Sequence, residues 1–207
     1  MKNILILYQT HGNETIGKDI VELLKITYPN ITELCDFVVG NPKAADKNIR
    51  FTECDLNRVA PGNINSNLYE ERRASELISL FESYKYIIDI HETLSSDDIM
   101  LIIPNNSDAH LIGCNFCPVE KVIIWPSSNS EKNNPLVSFS PYGFELEIGT
   151  KNSYQEKQKT GVEIIYQTIT NIVANKNTNI KYDYFEVVGK INLNDILYGT
   201  TMENFVM

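Results

Sequence analysis

Residues Asn3–Glu14 read Asn-Ile-Leu-Ile-Leu-Tyr-Gln-Thr-His-Gly-Asn-Glu, and this stretch decides the fold class. A run of strand character, Ile4 to Tyr8, stops at a short polar turn carrying His11 and Glu14. An amphipathic helical pattern follows at once through Ile16, Ile20, Val21, Leu23 and Leu24. A buried strand that breaks into a polar turn and re-enters as a helix is the building unit of open α/β sheets. In such sheets reactive groups sit beyond the carboxyl ends of the strands. His11 and Glu14 stand at such a place, and we read them as zinc ligands.

The rest of the chain repeats the alternation. Pro29-Asn30 makes a turn, and the spacing predicts a second strand over Glu33–Gly40, ended by Asn41-Pro42. Residues 43–67 are polar and irregular, with Arg50, Asp55-Leu56-Asn57-Arg58 and the breaker Pro61-Gly62. So long a loop inside a compact domain is more often functional than idle. Asn67–Ser83 reads as a helix, with Leu68, Leu77, Ile78, Leu80 and Phe81 inward and Glu70, Glu71, Arg72 and Arg73 mostly solvated. Strands are predicted over Tyr84–Ile90, Ile99–Ile103, Lys121–Trp125 and Gly143–Gly149. A short helix or loop runs from Ser107 to Cys114, and Pro135–Tyr142 is extended or looped. A long helix runs from Gln155 to near Asn175, and Tyr182–Val188 opens a last strand-rich piece. The pattern gives an α/β sandwich with a mostly parallel or mixed sheet over residues 1–176 and a small β appendage over residues 177–207.

Composition narrows the function classes. The 207 residues suffice for one well-buried domain, and 43% apolar with 22% charged content is that of a soluble globular protein. No run approaches the ~18 apolar residues of a membrane span, and Met1-Lys2-Asn3 leads straight into a strand without a cleavage signal. The expected compartment is the cytoplasm. A formal net charge of −9 argues against nucleic acid or anionic membrane as the main partner. Arginine is scarce: Arg50, Arg58, Arg72 and Arg73 are all there are. The cysteines are Cys35, Cys54, Cys114 and Cys117. Without a secretory signal a disulfide framework is not expected, and Cys114 and Cys117, with His110 upstream, read as buried thiols beside a strand. Homo-oligomerisation is left open by the sequence.

A catalytic zinc needs three His, Glu or Asp ligands and one open position. His11-x-x-Glu14 supplies two, and His91, just past the strand Tyr84–Ile90, is placed to bring the third from a neighbouring strand end. A general base is also needed. Glu147 lies on the strand Gly143–Gly149, among apolar neighbours that raise a carboxyl pKa. Glu145 shares its face by period two and ranks second. Arg50 is a candidate to stabilise an oxyanion, Asn57 and Arg58 to hold a substrate carboxylate, and Asp55 to accept from the outer nitrogen of a ligating histidine.

Four blocks carry a family resemblance. These are Thr10-His11-Gly12-Asn13-Glu14, Arg50 followed by Asp55-Leu56-Asn57-Arg58, Asp89-Ile90-His91-Glu92-Thr93, and Glu147-Ile148-Gly149. In order and approximate spacing they resemble the succinylglutamate desuccinylase/aspartoacylase family, a branch of the zinc-carboxypeptidase-like hydrolases. The resemblance covers roughly residues 3–190. It implies a three-layer sandwich with a central mixed sheet and a truncated C-terminal β appendage. It further implies one zinc per chain on His11, Glu14 and His91, with Glu147 as base and acid. Arg50 would polarise the amide carbonyl, and Asn57 and Arg58 would hold the substrate carboxylate. The activity implied is hydrolysis of an N-acyl amino acid or similar small amide. No arginine follows Arg73, so a second carboxylate-recognising arginine is missing and a diacid is disfavoured. The alternatives are a metallocarboxypeptidase or amidase on peptides or cell-wall fragments, and a non-catalytic binding relative. No Gly-x-Ser-x-Gly elbow supports a hydroxyl nucleophile.

Overall fold

The computed structural model describes residues 2–125 and 135–187. Its centre is a seven-stranded sheet of β1 (Ile4–Tyr8), β2 (Asp36–Val39), β3 (Tyr86–Thr93), β4 (Ile99–Ile103), β5 (Lys121–Ile124), β6 (Phe144–Gly149) and β7 (Asp183–Glu186). The strand order is β2-β1-β3-β6-β4-β5-β7. Neighbouring strands run parallel except at the β4–β6 junction, which is antiparallel, so the sheet is mixed. β7 extends this same sheet. Residues 188–207 of the expected appendage lie outside the described residues.

Period-two alternation sorts the side chains of β1 and β3 between two cores. Ile4, Ile6, Tyr86, Ile88 and Ile90 pack with Ile16, Ile20, Val21 and Leu24 of α1 (Ile16–Thr27), and with Val162, Ile165 and Ile169 of α6 (Tyr154–Ala174). Leu5, Leu7 and Ile87 point the other way, against Ala74, Leu77 and Phe81 of α4 (Tyr69–Phe81) and against Leu56 and Leu136. Helices therefore cover both faces, giving the expected three layers. Each such buried Leu or Ile contributes roughly 1.5–3 kcal/mol relative to exposure. The remaining helices are α2 (Ile31–Leu34), α3 (Pro42–Lys47) and α5 (Asp108–Cys114).

Several local expectations are corrected. The predicted strand Glu33–Gly40 begins later, because Ile31–Leu34 forms a helical turn that buries Ile31. The loop 43–67 is not all irregular: Asn41 caps α3 by accepting from Ala44 N–H at 3.1 Å, and Pro42 occupies its first turn. A 3-10 turn spans Leu56–Arg58, with Asp55 as its cap, and another spans Leu136–Phe139. β3 runs on to Thr93, so His91 lies within the strand and not past its end. Glu70 is fully buried instead of solvated. Arg73 turns inward too, donating to the Gly40 and Val39 carbonyls at 2.8 and 2.9 Å.

Candidate metal centre

The turn after β1 is shaped by two local features. Gln9 takes a left-handed φ of 51°, a costly conformation for a residue with a Cβ, and its side chain donates to the Gly12 carbonyl at 3.1 Å. Gly12 packs directly on α3: a Cβ there would lie 2.1 Å from the Ala44 carbonyl carbon, so only glycine fits. This bend carries His11 and Glu14 back over the carboxyl ends of β1 and β3.

There they meet His91. Ligand atoms of His11, Glu14 and His91 all lie within 4.8 Å of one another, the one such group of three or more His, Cys, Asp or Glu among the described residues. Nδ1 of His11 lies 2.7 Å from Oε1 of Glu14, and Nδ1 of His91 lies 3.0 Å from Oε2. The outer nitrogens face carboxylates: Nε2 of His11 is 3.1 Å from Asp55 Oδ1, and Nε2 of His91 is 3.0 Å from Asp89 Oδ2. Asp89 is buried beneath the site and accepts twice more, from the Thr10 hydroxyl at 3.0 and 2.9 Å. Both rings thus turn Nδ1 inward toward Glu14 and Nε2 outward toward an aspartate that can accept its proton. This is the arrangement that orients metal-binding imidazoles, and two His with one Glu is a donor set of catalytic zinc. The residues fit the ion.

The charge around the three residues is negative, the setting in which a cation is favoured and in which, without one, the rings hold protons instead. Burial raises the Glu14 pKa, but the positive charge of His91 and the bonds from both rings outweigh it and hold the carboxyl well below its usual range. Burial lowers the His91 pKa. Asp89, Glu14 and Glu145 more than reverse this, and the ring sits well above its ordinary value. For His11 burial again lowers, and the bonds to Asp55 and Glu14 raise, with a net upward shift.

The cleft beside the three residues measures about 380 Å³ and is lined by Arg50, Asn57, Arg58, Glu145 and Glu147 among others. Register explains the pair of glutamates: in the β3–β6 ladder His91 pairs with Glu147 and Asp89 with Glu145, so all four share a face. Glu145 is engaged, accepting from Asn57 Nδ2 at 2.8 Å. Glu147 makes no hydrogen bond among the described residues, and burial pushes its pKa up to about 7. Arg50 donates to Asp55 Oδ2 from Nε and Nη2 at 3.3 and 3.1 Å, and its Nη1 lies 3.4 Å from Glu14. Asn57 is tied at both ends, since its Oδ1 also accepts from Leu136 N–H at 2.9 Å. Arg58 donates to the Asn57 carbonyl at 2.7 Å and otherwise faces the cleft.

The structure therefore gathers every candidate from the sequence into one place and adds residues that the sequence reading left without a role. Asp89 was visible as the residue two before His91, which period two puts on the same face. Glu92 caps the start of α1, accepting from Ile16 N–H at 3.1 Å and from the Thr150 hydroxyl at 2.8 Å. Its own N–H donates to Glu14 at 3.0 Å. By contrast, His110 bonds the Gly143 carbonyl at 2.8 Å, and Cys114 and Cys117 are buried free thiols in the core.

Comparisons with known proteins lead the same way. The model of the succinylglutamate desuccinylase/aspartoacylase catalytic domain matches residues 1–173. A probable aspartoacylase of Acaryochloris marina is 30% identical over 166 residues, covering 72% of this chain and 55% of that protein. The aspartoacylase of Mus musculus is 33% identical over 130 residues, 54% of this chain and 41% of that one. The chain thus spans about half the length of the curated relatives it matches. Among solved structures, the succinylglutamate desuccinylase from Chromobacterium violaceum superposes with a TM-score of 0.68 at 20% identity, over 93% of this chain and 72% of that one. Murine aminoacylase 3 superposes with a TM-score of 0.61 at 21% identity, over 83% and 65%. These structures share the fold. With the catalytic-domain model matching most of its length, the chain belongs to the succinylglutamate desuccinylase/aspartoacylase family.

Proposed function

We propose that this chain is a zinc-dependent hydrolase that removes the acyl group from an N-acyl amino acid. The observation that carries the reading is the convergence of His11, Glu14 and His91 within 4.8 Å, with Glu147 in register beside His91. Zinc bound by those three residues would supply a Lewis acid that polarises an amide carbonyl and acidifies water. Glu147, with a pKa raised to about 7, suits a group that accepts a proton from water and returns it to the leaving amine. Arg50 stands beside Glu14 and offers a fixed cation where carbonyl oxygen gains charge. Asp55 and Asp89 hold the two rings in the tautomer that leaves Nδ1 as the ligand atom.

The lining of the cleft narrows the substrate. Four carboxylates (Glu14, Glu92, Glu145 and Glu147) face two arginines, and Arg50 is already engaged by Asp55 and Glu14. Among the described residues that leaves Arg58, with the Asn57 amide behind it, as the cation for one substrate carboxylate. Met100, Ile102 and Pro135 supply apolar wall. We infer a monocarboxylate whose other groups are uncharged, in preference to a diacid such as N-acetylaspartate. The test is amine release by the zinc-loaded chain from a panel of N-acetyl amino acids, with short peptides alongside. Turnover of neutral N-acetyl amino acids above N-acetylaspartate is expected. Hydrolysis confined to peptides would establish a carboxypeptidase instead, and a preference for the diacid would contradict the substrate assignment.

A further inference from the structure

Glu70, in the first turn of α4, is 0% exposed. Its Oε1 accepts from Thr52 N–H at 2.6 Å, from the Thr52 hydroxyl at 2.7 Å and from Asn41 Nδ2 at 3.2 Å. Its Oε2 accepts from Glu53 N–H at 3.2 Å and Cys54 N–H at 3.3 Å. Three successive backbone N–H groups converge on one carboxylate, the geometry of an anion nest filled by a side chain. A buried carboxylate is costly unless its lone pairs are taken, and here five donors take them. The brace works both ways, because Glu53 accepts from Tyr69 N–H at the open start of α4, where Leu68 provides no side-chain cap.

The segment so held has no apolar anchor of its own. Phe51 is 38% exposed, Glu53 is exposed, and Thr52 and Cys54 are only half-buried. Yet this segment joins Arg50 to Asp55. Asp55 meets the outer nitrogen of His11, Arg50 bonds Asp55, and the Arg50 carbonyl accepts from Gly12 N–H at 3.2 Å. Apolar packing begins only at Leu56, beyond the segment, whereas residues 52–54 are bonded directly to the Glu70 carboxylate.

We propose that Glu70 is a positioning residue, whose carboxylate fixes the Arg50–Asp55 turn so that Asp55 orients His11 and Arg50 faces the cleft. The inference rests on the reading of the site as a metal-dependent hydrolase. Glu70→Gln keeps the side-chain length but turns one acceptor oxygen into an amino group facing N–H donors. Amide hydrogen exchange at residues 52–54 is expected to accelerate at least about tenfold while β1 and β3 keep their protection. Zinc affinity, measured by chelator competition, and kcat are each expected to fall, kcat by roughly 10–100-fold with KM within about threefold. Unchanged exchange at residues 52–54 overturns the proposal, as does wild-type kcat in the folded variant. Should Glu70→Gln fail to fold, Thr52→Val removes a single bond to the same carboxylate. It is expected to lower kcat by about two- to fivefold, and an indifferent kcat there overturns the proposal equally. Wild-type protein that takes up no zinc defeats the metal reading and this inference together. Active wild type with an indifferent Glu70→Gln defeats this inference alone.

Discussion

The chain has three histidines, all buried, in two contrasting settings. At the carboxyl end of β1 and β3, His11 and His91 have both ring nitrogens facing carboxylates, and both rings titrate above the ordinary value. Beneath the other face of the sheet, His110 bonds the Gly143 carbonyl from the helix that also carries the buried Cys114. Burial pushes its pKa down, and pushes the Cys117 thiol up to about 12. Both settings bury ligand-type side chains, but among the described residues only the first brings three of them within 4.8 Å of one another. Burial alone makes core; burial with carboxylates behind each ring makes a place for a cation. Charge arrangement separates the two, not residue type.

The largest effect should come from Glu147, the carboxylate of the first setting with no hydrogen bond among the described residues. Glu147→Gln is expected to lower kcat by roughly 10²–10⁴-fold, read in single-turnover assays, with zinc content unchanged. The same variant should behave oppositely in stability. The folded pKa is about 7 against 4.5 for an ordinary glutamate, so the native state binds the extra proton between those values. Carrying the charge in the folded site costs nothing below pH 4.5, and the cost grows to its full size above pH 7. That full cost is roughly 3 kcal/mol. In chelator-treated protein Glu147→Gln should therefore unfold at higher denaturant than wild type at pH 8, and at the same denaturant near pH 4.

Asp89→Asn tests the carboxylate behind His91 and should weaken zinc binding by about 10–100-fold, measured by competition with a chromophoric chelator. The smallest effect belongs to the second setting. His110→Ala removes the bond to the Gly143 carbonyl together with a buried ring and should lower stability by about 1–3 kcal/mol, with zinc affinity and kcat unchanged. A loss of zinc in His110→Ala would erase the distinction between the two settings.

Much of this contrast was legible in the sequence. The stop after Tyr8 put His11 and Glu14 beyond a strand end, and period two put Glu145 and Glu147 on one face; His91 was placed near the end of the neighbouring strand, although β3 in fact runs through it to Thr93. What escaped depends on partners far along the chain. Glu70 follows a helical pattern that marks it as solvated, because helical periodicity cannot show that residues 52–54 fold over the first turn of α4. α3 was hidden behind Asn41-Pro42, which ends a strand as readily as it caps a helix. The place of β4, antiparallel against β6, is likewise invisible to local pattern, since strand order is set by packing between distant segments.

The central claim is that three particular side chains share one cation. Zinc binding to chelator-treated wild type, His91→Ala and His110→Ala, followed by calorimetric titration, tests it most directly. One zinc per chain is expected for wild type and for His110→Ala, and at least hundredfold weaker binding (about 2.7 kcal/mol) for His91→Ala. Equal zinc binding by wild type and His91→Ala would contradict it.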